Sequence, residues 1–314
     1  MWQLIKKSIR SLPVWMGLVI VALVLMLHVI SLAEDSRLSN QVSRPLQQLD
    51  TSIYDFRFQL LPPSRPEGAT PVVVVDIDED SIRREGRWPW SRSKVAALVQ
   101  SLEKAGVSLI GFDVVFSEAE SNPVDQMLTD TTLSPAARAE ISTKHTRFDS
   151  DSRFASVVGS KTVLGYVMHA DRVKSGLLPQ PFLMLDPDDE GWRVHALPDY
   201  TSNLPILMDK ALSAGFFTTL PDRDGVIRRS PLILRHENGL YTSLALELAR
   251  ISLNAPFIRL QTTRCRGEMT CIESIQIDDR TVRTDEHGAA LVPYKGRRES
   301  YTYVSASKAL RGEL

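Results

Sequence analysis

The chain has 314 residues, 43% of them hydrophobic and 24% charged, with 37 Lys and Arg against 38 Asp and Glu for a formal net charge of −1. This excludes a disordered chain, which is poor in apolar residues and highly charged, and a collagen-like one, which needs Gly at every third position. Two cysteines are too few for a disulfide scaffold, and a near-neutral chain lacks the basic field of a sequence-independent nucleic-acid binder, so nucleic acid is not an expected partner.

The charge is unevenly placed. Residues 1–33 carry only Lys6, Lys7 and Arg10, which leaves 34 basic and 38 acidic residues, net −4, for the remainder. Residues 14–33 read VWMGLVIVALVLMLHVISLA without a formal charge, which as a helix spans about 30 Å, one bilayer core. Pro13 suits the first turn, where its missing N–H costs nothing, and Trp2 and Trp15 suit the interface. A cleaved signal peptide is the competing reading, with Ser31-Leu32-Ala33 as a small-x-small site, although the run exceeds the roughly 7 to 15 residues of a signal core. Basic residues before the run and Glu34 and Asp35 after it predict a cytoplasmic N-terminus. Under either reading residues 34–314 lie outside the cytoplasm, and the bilayer is the first expected partner.

Beyond this run Leu38, Val42, Leu46, Leu49, Ile53, Phe56 and Leu60 recur three or four positions apart, with heptad phase from Leu46 onward. Pro45 kinks this juxtamembrane helix or starts it afresh, and Pro62-Pro63 ends it. The stripe packs on its own domain, or Leu46, Leu49, Ile53, Phe56 and Leu60 form a homodimer seam. Two heptads leave both readings open.

The body begins with PVVVVDID (71–78), a helix over 91–105 capped by Ser91 and stopped by Gly106, and the strand SLIGFDVVF (108–116). Strand, helix and strand predict a right-handed parallel βαβ unit. After an Asp-, Ser-, Thr- and Pro-rich segment with a short helix near 135–143, a helix over 151–158 leads to TVLGYVM (162–168) as a third parallel strand. The remainder reads as shorter, more antiparallel strands with one helix over 243–253, separated by turn signals such as Asp224-Gly225, Asn238-Gly239 and His287-Gly288. The expected fold is α/β: a mixed sheet with a parallel βαβ core and antiparallel additions, preceded by one transmembrane helix.

Asp76, Asp78 and Asp113 fall toward the C-terminal ends of two strands expected to be neighbours, the edge at which open α/β sheets bind ligands. They form a candidate ligand or cation site, or they pair with Arg83, Arg84 or Arg92. An EF-hand reading of DIDEDS fails, because Ser81 stands where Gly is needed and Arg87 where Glu is needed. Trp88-Pro89-Trp90, with Arg92 close behind, makes an aromatic elbow at a helix start that either shapes a pocket, where the helix end favours an anion, or simply packs. Cys265 and Cys271 lie between strand-like runs, and in an oxidising compartment they close a hairpin loop, with free thiols as the alternative. P-loop, G-x-S-x-G and H-E-x-x-H patterns are absent and the six histidines are dispersed. No catalytic residue and no cofactor is expected in this chain.

The run from Tyr54-Asp55-Phe56-Arg57 through VVVVDIDEDSI, RWPWSRSKVAALVQSLEKAG and IGFDVVFSE resembles, in order and spacing, the second type of CHASE domain. Gly215-Phe216, DRDGVIRRSPL, YTSLALELAR and the stretch from Val292 extend the resemblance to Leu314. It implies an extracytoplasmic sensor in a bacterial inner membrane protein. The implied output lies downstream, foremost a class III adenylate/guanylate cyclase, with a histidine or Ser/Thr kinase as alternatives. A non-sensing envelope assembly module is the competing function. The expected plan is a cytoplasmic N-terminus (1–13), a transmembrane helix (14–33), a juxtamembrane helix (34–61) and a sensor (62–314) lacking the family's last strand, which meets an unknown extracytoplasmic ligand or envelope protein.

Overall fold

The structure, a computed structural model, describes residues 15–26, 51–57, 60, 72–186, 191–222, 224–265, 269–294 and 300–313. The chain divides into two units, 1–70 with 293–300 and 71–292 with 301–314. In the first unit α1 covers residues 15–26 and α2 covers 51–57. Every described residue of α1 is exposed. Among the described residues no helix is long and apolar enough to cross a membrane. The rest of the 14–33 run, Leu46 and Leu49 lie outside the described residues.

The second unit starts β1 (Val73–Asp76), α3 (Glu79–Glu85), α4 (Arg92–Lys104), β2 (Ile110–Phe112), α5 (Pro123–Leu128), α6 (Pro135–Ser142), α7 (Ser150–Ala155) and β3 (Thr162–His169). It continues through β4 (Lys174–Ser175), β5 (Leu183–Met184), β6 (Asp199–Thr201), α8 (Pro205–Met208), β7 (Ser213–Phe216), β8 (Arg229–Pro231), β9 (Ile233–His236) and β10 (Gly239–Thr242). It ends with α9 (Leu244–Ser252), β11 (Ile258–Arg264), β12 (Thr270–Ile277), β13 (Arg280–Arg283), β14 (Ala289–Leu291), β15 (Thr302–Ser305) and α10 (Ala306–Leu310). The starts follow local chemistry: Asp78, Ser91, Asn122, Ser134, Asp149 and Ser243 each cap a helix by accepting a backbone N–H. Pro123, Pro135 and Pro205 occupy first turns, where no N–H is needed.

β3 is the centre. Its first half pairs in parallel with β2 (Ile110↔Thr162) and with β7 (Val163↔Ser213), and its last residues pair antiparallel with β6, which carries β4. Buried on both sides, β3 reads as the near-continuous apolar run TVLGYVM. Gly165 is required there, because a Cβ would lie 2.2 Å from the carbonyl oxygen of Phe112. The fully buried Asn203 ties the neighbouring loops to this strand: its Oδ1 accepts the Phe116 N–H at 2.8 Å and its Nδ2 donates to the Gly165 carbonyl at 2.8 Å.

Two apolar cores result. One joins α4, α7 and α10 to the β3 sheet through residues such as Val99, Phe116, Phe154 and Phe216. The other lies among the antiparallel hairpins and is built on Ile233, Leu240, Ile272 and Ile275.

The mixed α/β fold agrees with the sequence reading, and so does the parallel pairing of 162–169 with β2. Two details differ. β1 pairs in parallel with β15, Val73 beside Thr302, and not with β2. The expected βαβ unit is further interrupted by α3, which forms because Asp78 caps Ser81. β7, expected among the antiparallel strands, joins β3 in parallel.

Asn203→Ala strips the partners from a buried N–H and a buried C=O, so urea unfolding of the whole chain should show a loss of about 2–4 kcal/mol. A loss below about 0.5 kcal/mol would mean that these two backbone groups find other partners.

Candidate functional site

The acidic and aromatic candidates do not converge. Because β1 pairs with β15, Asp76 and Asp78 share no sheet edge with Asp113, which is exposed just past β2. Asp78 is a structural acid. Its Oδ1 accepts the Ser81 N–H at 2.8 Å and the Ser305 hydroxyl at 2.9 Å, and the Ser81 bonds come first in holding its pKa below the usual carboxylate value. Asp80 pairs with Arg84 and Arg83.

At the elbow Trp90 is buried and donates its indole N–H to the Gly86 carbonyl at 2.9 Å, while Trp88 meets it edge-on at 6.0 Å. The anion expected at the start of α4 belongs to the chain itself: Glu120 Oε2 accepts the Arg92 N–H at 2.6 Å. The Arg92 side chain lies 3.4 Å from the Asp151 carboxylate, over the Phe116 ring at 4.6 Å, and reaches the Glu118 carbonyl at 3.1 Å. Arg92 therefore fastens the 117–122 loop and α7 to the start of α4.

The structure bonds Cys265 to Cys271, with their Cα atoms 5.9 Å apart, at the loop end of the β11–β12 hairpin. The D-x-D-G-x-x-R turn also has a physical basis. Arg228, nearly fully buried, donates to Asp222 at 3.0 Å and to both oxygens of Asp224 at 2.8 and 3.0 Å. His195 and His287, far apart in sequence, stack at 4.5 Å. Burial first, and then His287, lowers the His195 pKa. Among the described residues no cluster of three His, Cys, Asp or Glu could hold a metal ion.

What the fold does assemble is a cavity of about 320 Å³. It opens where residues of the first core (Tyr166, Ala214, Tyr241) meet residues packed on the second (Phe182, Ile258). Parallel pairing sets Leu164 beside Ala214 and Tyr166 beside Phe216. Gly215 then admits α9, since a Cβ there would lie 2.5 Å from Leu244 Cα. One turn on, Glu247 and Arg250 share a helix face. Glu247 Oε1 accepts the Ser213 hydroxyl at 2.6 Å, and Arg250 clasps the carboxylate through Nη2 at 2.5 Å and Nε at 3.1 Å. Its Nη1 donates to the Ala255 carbonyl at 2.9 Å, and the Glu247 bonds raise the arginine's pKa.

Phe182, Phe257, Pro179 and Pro256 supply apolar wall, with Gln180 and Thr242 between them. Tyr166, a lining residue, carries a fully buried hydroxyl that has no hydrogen-bond partner among the described residues. Leaving it so costs about 1–3 kcal/mol. Burial, with Tyr241 and Glu247 nearby, pushes its pKa well above the usual phenol value, so it stays protonated. The sequence held two signals of this cavity, a tyrosine inside an otherwise apolar central strand and an acid on the buried face of α9. Neither identifies a site until β7 and α9 are placed.

Ring and proline walls with a few fixed polar groups are the kind of lining found in ligand pockets. Comparison with protein families matches the chain to the CHASE2 domain over residues 19–313. The chain belongs to the CHASE2 domain family, a family of sensory domains of signalling proteins. The comparison with curated proteins finds no match, and the comparison with solved structures finds none.

Arg228 holds the Asp222/Asp224 turn, so Arg228→Met, which strands two carboxylates, should cost about 1–3 kcal/mol in urea unfolding. The Arg228 bonds lower the Asp224 pKa from 3.8 to about 2. A depressed acid stabilises the fold above its ordinary pKa, and that contribution is lost as pH falls through the folded value. The stability difference between the wild type and Asp224→Asn should therefore be full above about pH 5 and shrink toward pH 2. A pH-independent difference would mean that the carboxylate's charge is not what Arg228 holds.

Proposed function

We propose that this chain is the extracytoplasmic sensory part of a membrane-anchored bacterial signalling protein, with residues 14–33 as its anchor and the N-terminus in the cytoplasm. The observation that carries the reading is the CHASE2 match, which runs from within the apolar segment to Glu313. The bonded Cys265–Cys271 pair supports the location, because such bonds persist outside the reducing cytoplasm. The basic residues before the apolar run and the acids after it support the same orientation. For the output we propose a class III adenylate/guanylate cyclase, in keeping with the resemblance. Cyclic nucleotide formed by the intact gene product in cells tests it, and phosphotransfer without cyclic nucleotide would point to a kinase.

The sensor works as a homodimer in this reading, with Leu46, Leu49, Ile53, Phe56 and Leu60 along the seam. Of these, Ile53, Phe56 and Leu60 are each more than 60% exposed, which leaves them available to a partner helix. A ligand that binds two arrangements of the sensor unequally would shift this seam and the anchor beyond it.

Two measurements test the reading. A reporter active only outside the cytoplasm, fused after Leu314, should be active in intact cells, and silence overturns the topology. The pair Leu49→Glu and Phe56→Glu should lower the dimer fraction in light scattering of the detergent-solubilised chain, whereas an unchanged mass rejects the seam.

A further inference from the structure

We propose that the cavity between β3, β7 and α9 binds a small, uncharged aromatic molecule bearing one carbonyl-type acceptor, which takes the hydrogen bond of the Tyr166 hydroxyl. The inference rests on the sensory reading above and adds the chemistry of what is sensed.

Each feature of the lining narrows the ligand. Size comes first, since about 320 Å³ corresponds to roughly ten waters and admits one or two fused rings with a short substituent. Charge comes next. Glu247 and Arg250 neutralise each other, and Ser213 and the Ala255 carbonyl occupy further positions on the pair. An anionic or cationic ligand would have to break this pair or lie beside it without a counter-charge, and both are costly. An uncharged ligand leaves it intact. Shape follows from the walls: Phe182, Tyr241 and Phe257 present rings, and Pro179 and Pro256 present flat apolar surfaces. Such walls favour a planar partner through offset and edge-on contacts.

The acceptor follows from Tyr166. Its hydroxyl lacks a partner among the described residues, is fully buried and remains protonated. A protonated phenol can donate, so the ligand atom opposite it is an acceptor. The Tyr166 hydroxyl therefore offers a hydrogen bond that the right ligand completes and an analogue lacking the acceptor cannot. Sites built on this principle reject such analogues more strongly than apolar contacts alone do.

Three isosteres separate the possibilities: 2-naphthamide, 2-naphthoate and 2-naphthylmethylammonium, titrated calorimetrically into the full chain in detergent. The amide should bind, and each charged isostere should bind at least about tenfold more weakly. Tyr166→Phe should weaken amide binding about tenfold and also raise the melting temperature of the ligand-free chain, because it removes an unsatisfied buried hydroxyl. Phe257→Ala alters a half-exposed wall residue, so it should weaken binding without changing the melting temperature. The proposal is overturned if no naphthyl probe binds, if a charged isostere binds as well as the amide, if Tyr166→Phe leaves amide binding unchanged, or if that variant melts lower when free. Failure of the probes with an active reporter after Leu314 removes the ligand class and leaves the sensory reading. A silent reporter with the amide still bound does the opposite.

Discussion

The first turn of α9 rests on β7 because position 215 has no side chain. A single methyl group there would stand 2.5 Å from the backbone of Leu244. From that approach follow the bridge between Phe216 and Ser243, the bond from Ser213 to Glu247 and the clasp of Arg250 on the same carboxylate. α9 contributes Leu244 and Leu246 to the buried interior, and Leu246 belongs to the hairpin core. The helix thus couples the parallel sheet to the antiparallel half, and the cavity is the space left where the two meet. Packing at this junction and the existence of the cavity are one geometric fact.

Much of the fold could be read from local rules. The caps at Ser91, Ser134 and Ser243 act within three residues, so their helices are visible in the sequence. The β11–β12 hairpin and its cysteines are local in the same sense. The short-range rules fail where a partner comes from far away. The valine run of β1 looks like a central strand, yet among the described residues it pairs only with β15, and Val73 remains half-exposed. Periodicity records which residues are apolar and says nothing of which strand meets which.

The same limit explains the site candidates. Asp78 and Arg92 stand out in the sequence because they are charged beside apolar runs. In the structure each has local work: Asp78 starts α3 and Arg92 closes a loop. The residues that frame the cavity are mostly aromatic, proline or small, types that a sequence reading assigns to packing. Only their juxtaposition distinguishes them, and that juxtaposition depends on Gly165 and Gly215, where the absence of atoms allows two backbone approaches.

The late arrival of β15 has a consequence for biosynthesis. Ser305 meets Asp78 across 227 positions of chain, and its serine neighbours extend the contact to Ser81 and Ser307. At roughly 5–20 residues per second, β1 leaves the ribosome some 10 to 45 seconds before β15, its strand partner among the described residues, exists. For that interval four successive valines present an unpaired edge, the kind of segment that recruits foreign strands. Closing so long a loop is also slow. β1 is covered only when Thr302–Ser305 folds back on it, so a chain interrupted before Ser305 exposes an adhesive edge and also lacks Ala306 and Ala309 of the first core.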